Sequence, residues 1–377
     1  MSLKFWANYS FFYPDIERPY SDVVAEAVDI AQAAEDLGFE GIAFPEHHFY
    51  NYICNPSALQ YATLIGAHTK RLKILTGVLV LPYYHPLALA EEIAQVDHMT
   101  KGRLQVGVAR GANKFEFDRL GIDWRNARDM YEESLDTITR AWTETDITSE
   151  GRFWPFPVTT TIPRPYQDPH PKLWVAAQSE NGVRAAGSKG QNMITSPNLG
   201  SFAPHGDLEK VLGWYRESNA LSGKASGEVM VLRRTFIAQT EERALKELEA
   251  VYQHWNYYMS AYKGTPQTEA ARFQERTEND DIVLRGGSVV PAEMKIDRSD
   301  VYNTYDDPIL TTPEKAIARF KTYEDLGVNH IQALMAFGNN VKDVVDSMEL
   351  MAKEIFPAFA DESKPNEEVD VLSPQQA

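Results

Sequence analysis

An acid, two histidines and an aromatic ring stand in a row at Glu46-His47-His48-Phe49, directly after the apolar run Gly41-Ile42-Ala43-Phe44 and Pro45. Imidazole titrates near neutral pH, so a histidine here can donate or accept a proton during catalysis. An apolar strand running straight into a titratable loop is how parallel α/β scaffolds put chemistry at the carboxyl ends of their strands. A lone histidine is more often a satisfied core residue, but the strand-end position favours one of this pair being catalytic. Neighbouring residues of an extended chain point to opposite sides, so His47 and His48 are poorly disposed to share a metal. No cysteine, aspartate or further histidine lies at ligand spacing nearby, and no metal site is expected.

Two more segments carry polar groups where apolar runs end. In Gly107-Val108-Ala109-Arg110-Gly111 an arginine stands between small residues. Its guanidinium can clamp a carboxylate or phosphate, or form an ordinary surface ion pair. The glycine spacing of a dinucleotide fingerprint is absent. Ala176-Ala177-Gln178-Ser179-Glu180-Asn181-Gly182 follows a strand and opens a helix. Free N–H groups in such a first turn can hold an anion, although an N-cap at Ser179 or Asn181 accounts for the same residues.

Positioning these segments requires regular alternation of strand and helix. Strands are expected near Phe5–Phe12, Phe39–Phe44, Leu72–Leu81, Leu104–Ala109, Leu173–Ala177, Met193–Thr195, Val229–Ile237 and His330–Met335. Between them the spacing predicts helices, among them Asp22–Leu37 ending at Gly38, one opened by Asn55-Pro56-Ser57, and Glu241–Tyr258. Eight strands, most followed by a helix, favour a closed (β/α)8 TIM barrel over an open doubly wound sheet. Residues 1–360 are expected to form this single domain, with 361–377 a polar tail. Two stretches break the rhythm. Residues 150–171 are expected to be an irregular insertion, with six prolines from Arg152 to Pro171, and 263–310 a long, polar, lid-like loop.

A chain of 377 residues with 43% hydrophobic and 11% aromatic content can fill the core of such a barrel. No apolar run reaches the ~18 residues of a membrane span. Met1-Ser2-Leu3-Lys4-Phe5-Trp6 enters strand-like sequence without a signal-peptide core. The single cysteine, Cys54, excludes an internal disulfide and fits a reducing cytoplasm, the expected location. A formal charge of −17 disfavours nucleic acid and anionic membrane as partners. An anionic ligand would therefore need a local cationic pocket.

Taken together, Glu46-His47-His48-Phe49, Asn55-Pro56, Leu79-Val80-Leu81-Pro82 with His85-Pro86, Met99-Thr100-Lys101-Gly102-Arg103 and Gly107 through Gly111 resemble the bacterial luciferase-like, flavin-dependent monooxygenases. The similarity continues through Val175-Ala176 and His254-Trp255 to Thr312-Pro313-Glu314, and so covers most of the chain. It is specific for the superfamily and much less so for the substrate. The resemblance implies a luciferase-like barrel that takes up reduced FMN (FMNH2) from a separate flavin reductase. It implies a C4a-(hydro)peroxyflavin, formed with O2, that oxidises a small apolar aldehyde, ketone or terpenoid by Baeyer–Villiger insertion or hydroxylation.

At the matching positions His47 takes the place of the catalytic histidine. Arg110 would hold the FMN phosphate with Ser179 and the backbone near Asn181 and Gly182. Gly77-Val78 matches a non-proline cis peptide beneath the isoalloxazine ring. Ala109 stands where luciferase has a reactive cysteine, so light emission is not expected, and Glu116 where luciferase has an aspartate. Gln178 and Gly182 replace an acid and a hydroxyl residue at the phosphate site. Glu46, His48, Phe49, Tyr83 and Trp255 are expected to line or shield the substrate pocket, with the 263–310 loop as a mobile cover. A homodimer is implied, through the helices at Ser57–His68 and Leu87–Met99. The alternatives are an F420-dependent dehydrogenase on the same barrel and a non-catalytic luciferase-like partner subunit. Retention of His47, Arg110 and the Ser179 turn argues against a silent subunit.

Overall fold

The computed structural model describes residues 2–15, 17–49, 51–196, 208–248, 250–251, 254 and 308–360, with three short strands between 274 and 290. Eight parallel strands close on themselves: β1 (Lys4–Tyr9), β2 (Gly41–Phe44), β3 (Lys73–Val80), β4 (Leu104–Ala109), β5 (Lys172–Ala176), β6 (Asn192–Thr195), β7 (Val229–Ile237) and β8 (His330–Ala336). Each pairs with the next and β8 pairs with β1, so the eight strands form the expected TIM barrel. A short extra strand, Ile309–Thr311, lies parallel to the outer part of β7. The first strand stops at Tyr9 rather than Phe12, because Phe11 turns the backbone to φ 57°.

Around the barrel lie α1 (Tyr20–Asp36), α2 (Ala58–His68), α3 (Pro86–Met99), α4 (Lys114–Leu120), α5 (Ala127–Thr143), α6 (Glu180–Lys189), α7 (Leu208–Ser222), α8 (Glu241–Leu245), α9 (Pro313–Asp325) and α10 (Val341–Leu350). Their apolar stripes face the strands. In α1 the buried positions are Val23, Ala27, Ile30, Ala31 and Ala34, after which Gly38 at φ 80° lets the chain reverse into β2. The Ser57 side chain caps α2 by accepting from Gln60 N, and Ser179 caps α6 by accepting from Gly182 N.

The proline-rich insertion is more regular than expected. Ile147–Ser149 and Phe156–Thr159 pair as an antiparallel hairpin, and the Glu133 carboxylate of α5 accepts from the N–H groups of Phe153 and Trp154 (3.1 and 2.7 Å). Strands this short, with exposed residues between prolines, give little periodic signal. Within the lid-like stretch, Gln274–Arg276, Ile282–Leu284 and Val289–Val290 pair antiparallel. The rest of that stretch up to 307, and the 361–377 tail, lie outside the described residues.

Side chains along each strand alternate between the barrel interior and the helix layer. Trp6, Ala43, Leu75, Trp174, Ile194 and Met230 fill the middle of the interior. Both indoles are satisfied there: Trp6 Nε1 donates to His330 Nδ1 (3.0 Å) and Trp174 Nε1 to Gln105 Oε1 (2.7 Å). An indole can only donate, so His330 carries its own proton on Nε2, facing Glu228 Oε2 at 2.5 Å. That bond, reinforced by Lys172, outweighs partial burial and holds the Glu228 carboxyl down at about 2.

One step further along the strands the inward positions turn small: Gly77, Gly107, Ala109 and Ala176. A Cβ at Gly107 would lie 2.3 Å from Thr76 O and 3.1 Å from Val78 Cγ1. Thr76 Oγ1 accepts from Gly107 N (3.1 Å) and donates to Gly107 O (3.2 Å), just where the β3–β4 register shifts. The barrel is thus plugged through its middle and hollow at its carboxyl end.

This contact generates a stability prediction. Gly107→Ala forces a methyl group onto a backbone carbonyl and should lower the unfolding free energy by about 1–3 kcal/mol, read by urea denaturation. A variant as stable as the parent would mean that β4 can move off Thr76 freely.

Candidate active site

The loop after β2 crosses the hollow end and is tied down by its own neighbours. His47 N donates to Asn55 O (2.9 Å), and the buried Asn55 returns Nδ2–H to Pro45 O (2.7 Å). The Asn55-Pro56 segment therefore acts as a clamp on the histidine loop.

Two buried carboxylates organise the side chains. Glu46 accepts from Val80 N (3.1 Å), from Tyr84 Oη (2.6 Å) and from His48 Nε2 (2.9 Å). Glu116, at the start of α4, accepts from His48 N (2.7 Å) and Tyr83 Oη (3.2 Å) and lies 3.0 Å from His47 Nδ1. An ionised carboxylate can only accept, so in the neutral ring the His47 proton belongs on Nδ1 and Nε2 carries the lone pair. Asn113 Nδ2 lies 3.3 Å from the same Nδ1.

These contacts set the charges. Burial pushes the Glu116 carboxyl up, but His47, through charge and hydrogen bond, and the His48 amide bring it below the usual carboxylate range. Burial likewise pulls His48 down, and the Glu46 hydrogen bond and charge more than offset it, raising the imidazole above its ordinary value. The Tyr83 and Tyr84 phenols are raised by burial and by the carboxylates they serve, so both stay protonated donors.

A cavity of about 940 Å³ occupies the hollow end, within the range of small-molecule sites. It brings together Glu46, His47, Gly77, Val78, Ala109, Arg110, Gln178, Ser179, Asn181 and Gly182. The Gly77–Val78 peptide in its wall is cis. His48, Phe49 and Tyr83 stand outside this lining: His48 turns to Glu46 and the edge of Tyr83, and Phe49 is 49% exposed. Trp255 lies outside the described residues.

Arg110 lines the same cavity as the amino end of α6, and its guanidinium lies 5.3 Å from the Trp124 ring. Among the described residues it has no carboxylate partner, and both burial and the neighbouring Arg128 depress its pKa. A cation without a counter-charge among the described residues, in one cavity with the first turn of a helix, is a site for an anion.

Sequence reasoning missed the polar atoms of the inner wall. Asn8 Oδ1, Thr195 Oγ1, His254 Nε2 and Gln332 Oε1 are buried without partners among the described residues, and all four residues line the cavity. Asn8 and Gln332 each follow, two residues on and on the same strand face, the interior pair Trp6 and His330. Glu116 was legible only as a position matched to an aspartate. Its distance from His47 in sequence, 69 positions, hides their pairing.

No group of described residues could hold a metal ion, and no described helix is long and apolar enough to cross a membrane. Residues 10–330 match the family model described as luciferase-like monooxygenase. The flavin-dependent trigonelline monooxygenase, oxygenase component, of Acinetobacter baylyi is 28% identical over 340 residues, covering 89% of this chain and 90% of the relative. The alkanal monooxygenase alpha chain of the Kryptophanaron alfredi symbiont is 24% identical over 96% of this chain and 99% of its own. Among solved structures, the monooxygenase RslO1 of Streptomyces bottropensis superposes with a TM-score of 0.78 at 24% identity, covering 95% of this chain and all of that one.

The Glu116 network predicts a pH-dependent stability. A carboxyl held low in the folded state stabilises above its unfolded pKa and loses that contribution as pH falls through its folded one. Glu116→Gln should therefore cost about 1–3 kcal/mol near neutral pH. The gap to the parent should shrink below about pH 4. Parallel urea titrations at both pH values read this, and a constant gap would exclude a charged Glu116.

Proposed function

Since the chain belongs to the luciferase-like monooxygenase family, we propose that it is the oxygenase component of a two-component system that takes FMNH2 from a separate flavin reductase and oxygenates a small organic molecule with O2. The observation that carries this reading is the convergence, in one cavity, of His47, its Nδ1 held by Glu116, and Arg110, a cation without a carboxylate partner among the described residues. Reduced FMN, when bound, supplies the electrons that activate dioxygen, so that one oxygen atom enters the substrate and the other leaves as water.

The residues present fit that cofactor. Its phosphate meets what the Arg110 end lacks, an anion for a guanidinium without a carboxylate partner among the described residues and for the Ser179–Gly182 turn. Its flat, polar-edged ring system suits a wall where small residues leave room and Asn8, Thr195 and Gln332 hold buried polar atoms without partners among the described residues. Gly77, Val78 and Ala109 belong to the ring end in this reading, and Gln178 and Asn181 to the phosphate end. Glu46 and Glu116 then hold the loop and the His47 ring in place, and His47 Nε2 holds or releases a proton beside the reacting atoms. The closed lower barrel and the aromatic neighbours keep bulk water out.

The substrate is proposed as a small aldehyde, ketone or terpenoid-like molecule, and the working assembly as a homodimer through the outer faces of α2 and α3. Retention of Arg110 without a carboxylate partner among the described residues, in one cavity with His47, makes a silent partner subunit the weaker reading.

Anaerobic titration with reduced FMN is the primary test, and failure to bind it would sink the reading. Arg110→Ala should weaken FMN roughly tenfold to a hundredfold while barely affecting riboflavin, since only FMN carries the phosphate. Equal losses would remove the phosphate role. His47→Ala should keep FMN binding and lose roughly 10²–10⁴ in oxygenation rate. Unchanged turnover would take His47 out of the chemistry.

A further inference from the structure

Of seven buried side-chain atoms without partners among the described residues, four belong to residues that line the cavity described above, and His254 is the one of these whose proton can be placed. It is fully buried, with its ring 4.3 Å from that of Tyr52 at an interplanar angle of 30° and edge-on to Phe12 at 5.1 Å. Behind it stands Arg234 of β7, itself buried, with Nε and Nη2 at 3.4 and 3.3 Å from His254 Nδ1. A guanidinium has no acceptor, so Nδ1 must accept and the neutral imidazole must carry its hydrogen on Nε2. Desolvation and the adjacent guanidinium both disfavour a second proton, holding the ring neutral. His254 is therefore the mirror image of His47. The carboxylate behind His47 leaves Nε2 as a proton acceptor, whereas the guanidinium behind His254 makes Nε2–H a fixed donor.

A donor polarised from behind by a cation is strengthened, and its best partner is an oxygen bearing negative charge. Tyr52 neighbours both rings, 4.3 Å from that of His254 and 6.5 Å from that of His47, and all three residues line the cavity. We infer that His254 donates its Nε2–H to an anionic oxygen of the substrate, so that the enzyme takes substrates carrying a carboxylate on an otherwise apolar body. This rests on the oxygenase reading for its meaning, but not for its test.

The test uses the full chain with ¹⁵N-labelled histidines, His254→Gln assigning the signal, and sodium benzoate and sodium acetate as probes, with and without reduced FMN under anaerobic conditions. The expected result is an Nε2–H tautomer that persists between about pH 6 and pH 8. Its proton resonance should shift on adding benzoate or acetate. His254→Phe should bind benzoate roughly tenfold more weakly or worse, and His254→Gln, which keeps an N–H donor, should recover part of the loss. An Nδ1–H tautomer, a carboxylate-insensitive signal, or equal benzoate affinity in His254→Phe would overturn the assignment. Loss of reduced-FMN binding alongside an intact carboxylate response would instead overturn the oxygenase reading and leave His254 as a carboxylate donor.

Discussion

The change in side-chain volume along the barrel interior is the constraint on which the rest of the site depends. Trp6 and Trp174 close the middle of the barrel, and each indole is anchored by a specific acceptor, so the plug cannot slide. Immediately beyond it, glycine and alanine replace bulky residues on three consecutive strands, β3, β4 and β5. Because side chains alternate strictly along a strand, a step of two residues is enough to pass from packed core to cavity. The same step explains the tight Gly107–Thr76 contact: the backbones can only approach this closely where no Cβ intervenes.

Above that floor, buried acids control the histidines rather than acting on their own. Glu46 and Glu116 are almost wholly withdrawn from solvent, yet each accepts three hydrogen bonds from the loop or its neighbours. Such carboxylates spend their charge on orientation. The division of labour follows from hydrogen-bond inventory alone: an acceptor-only partner behind one histidine and a donor-only partner behind another leave opposite functions on the two Nε2 atoms. Across the cavity, the guanidinium of Arg110 provides local positive potential in a chain with formal charge −17. That locality matters, because the overall field of the protein repels the anion that Arg110 would hold.

The architecture was largely legible from the chain. Strand and helix periodicities place the eight barrel strands within a few residues, because buried parallel strands are short apolar runs closed by glycine, proline or a polar loop. The exceptions are physical. The end of β1 depends on a left-handed Phe11, the hairpin at Ile147–Thr159 has strands too short to show a period, and α4 is a single pair of turns. Within the site, motif residues such as His47, Arg110 and Ser179 could be named beforehand because each follows the end of a strand. His48 and Phe49 share the same local sequence signal but, like Tyr83, do not line the cavity, since consecutive residues of a loop cannot all point one way.

By itself, then, the sequence determined the barrel, the end of it that would carry chemistry, and the residue types available there. Those properties are written in local periodicity and in short motifs. Tertiary structure alone decided which carboxylate stands behind His47, that Arg110 has no counter-charge among the described residues, and that Asn8, Thr195, His254 and Gln332 meet around one cavity. These are relations between residues tens to hundreds of positions apart. Protonation, tautomer and pairing depend on distances that only barrel closure creates, and no spacing within a single segment encodes them.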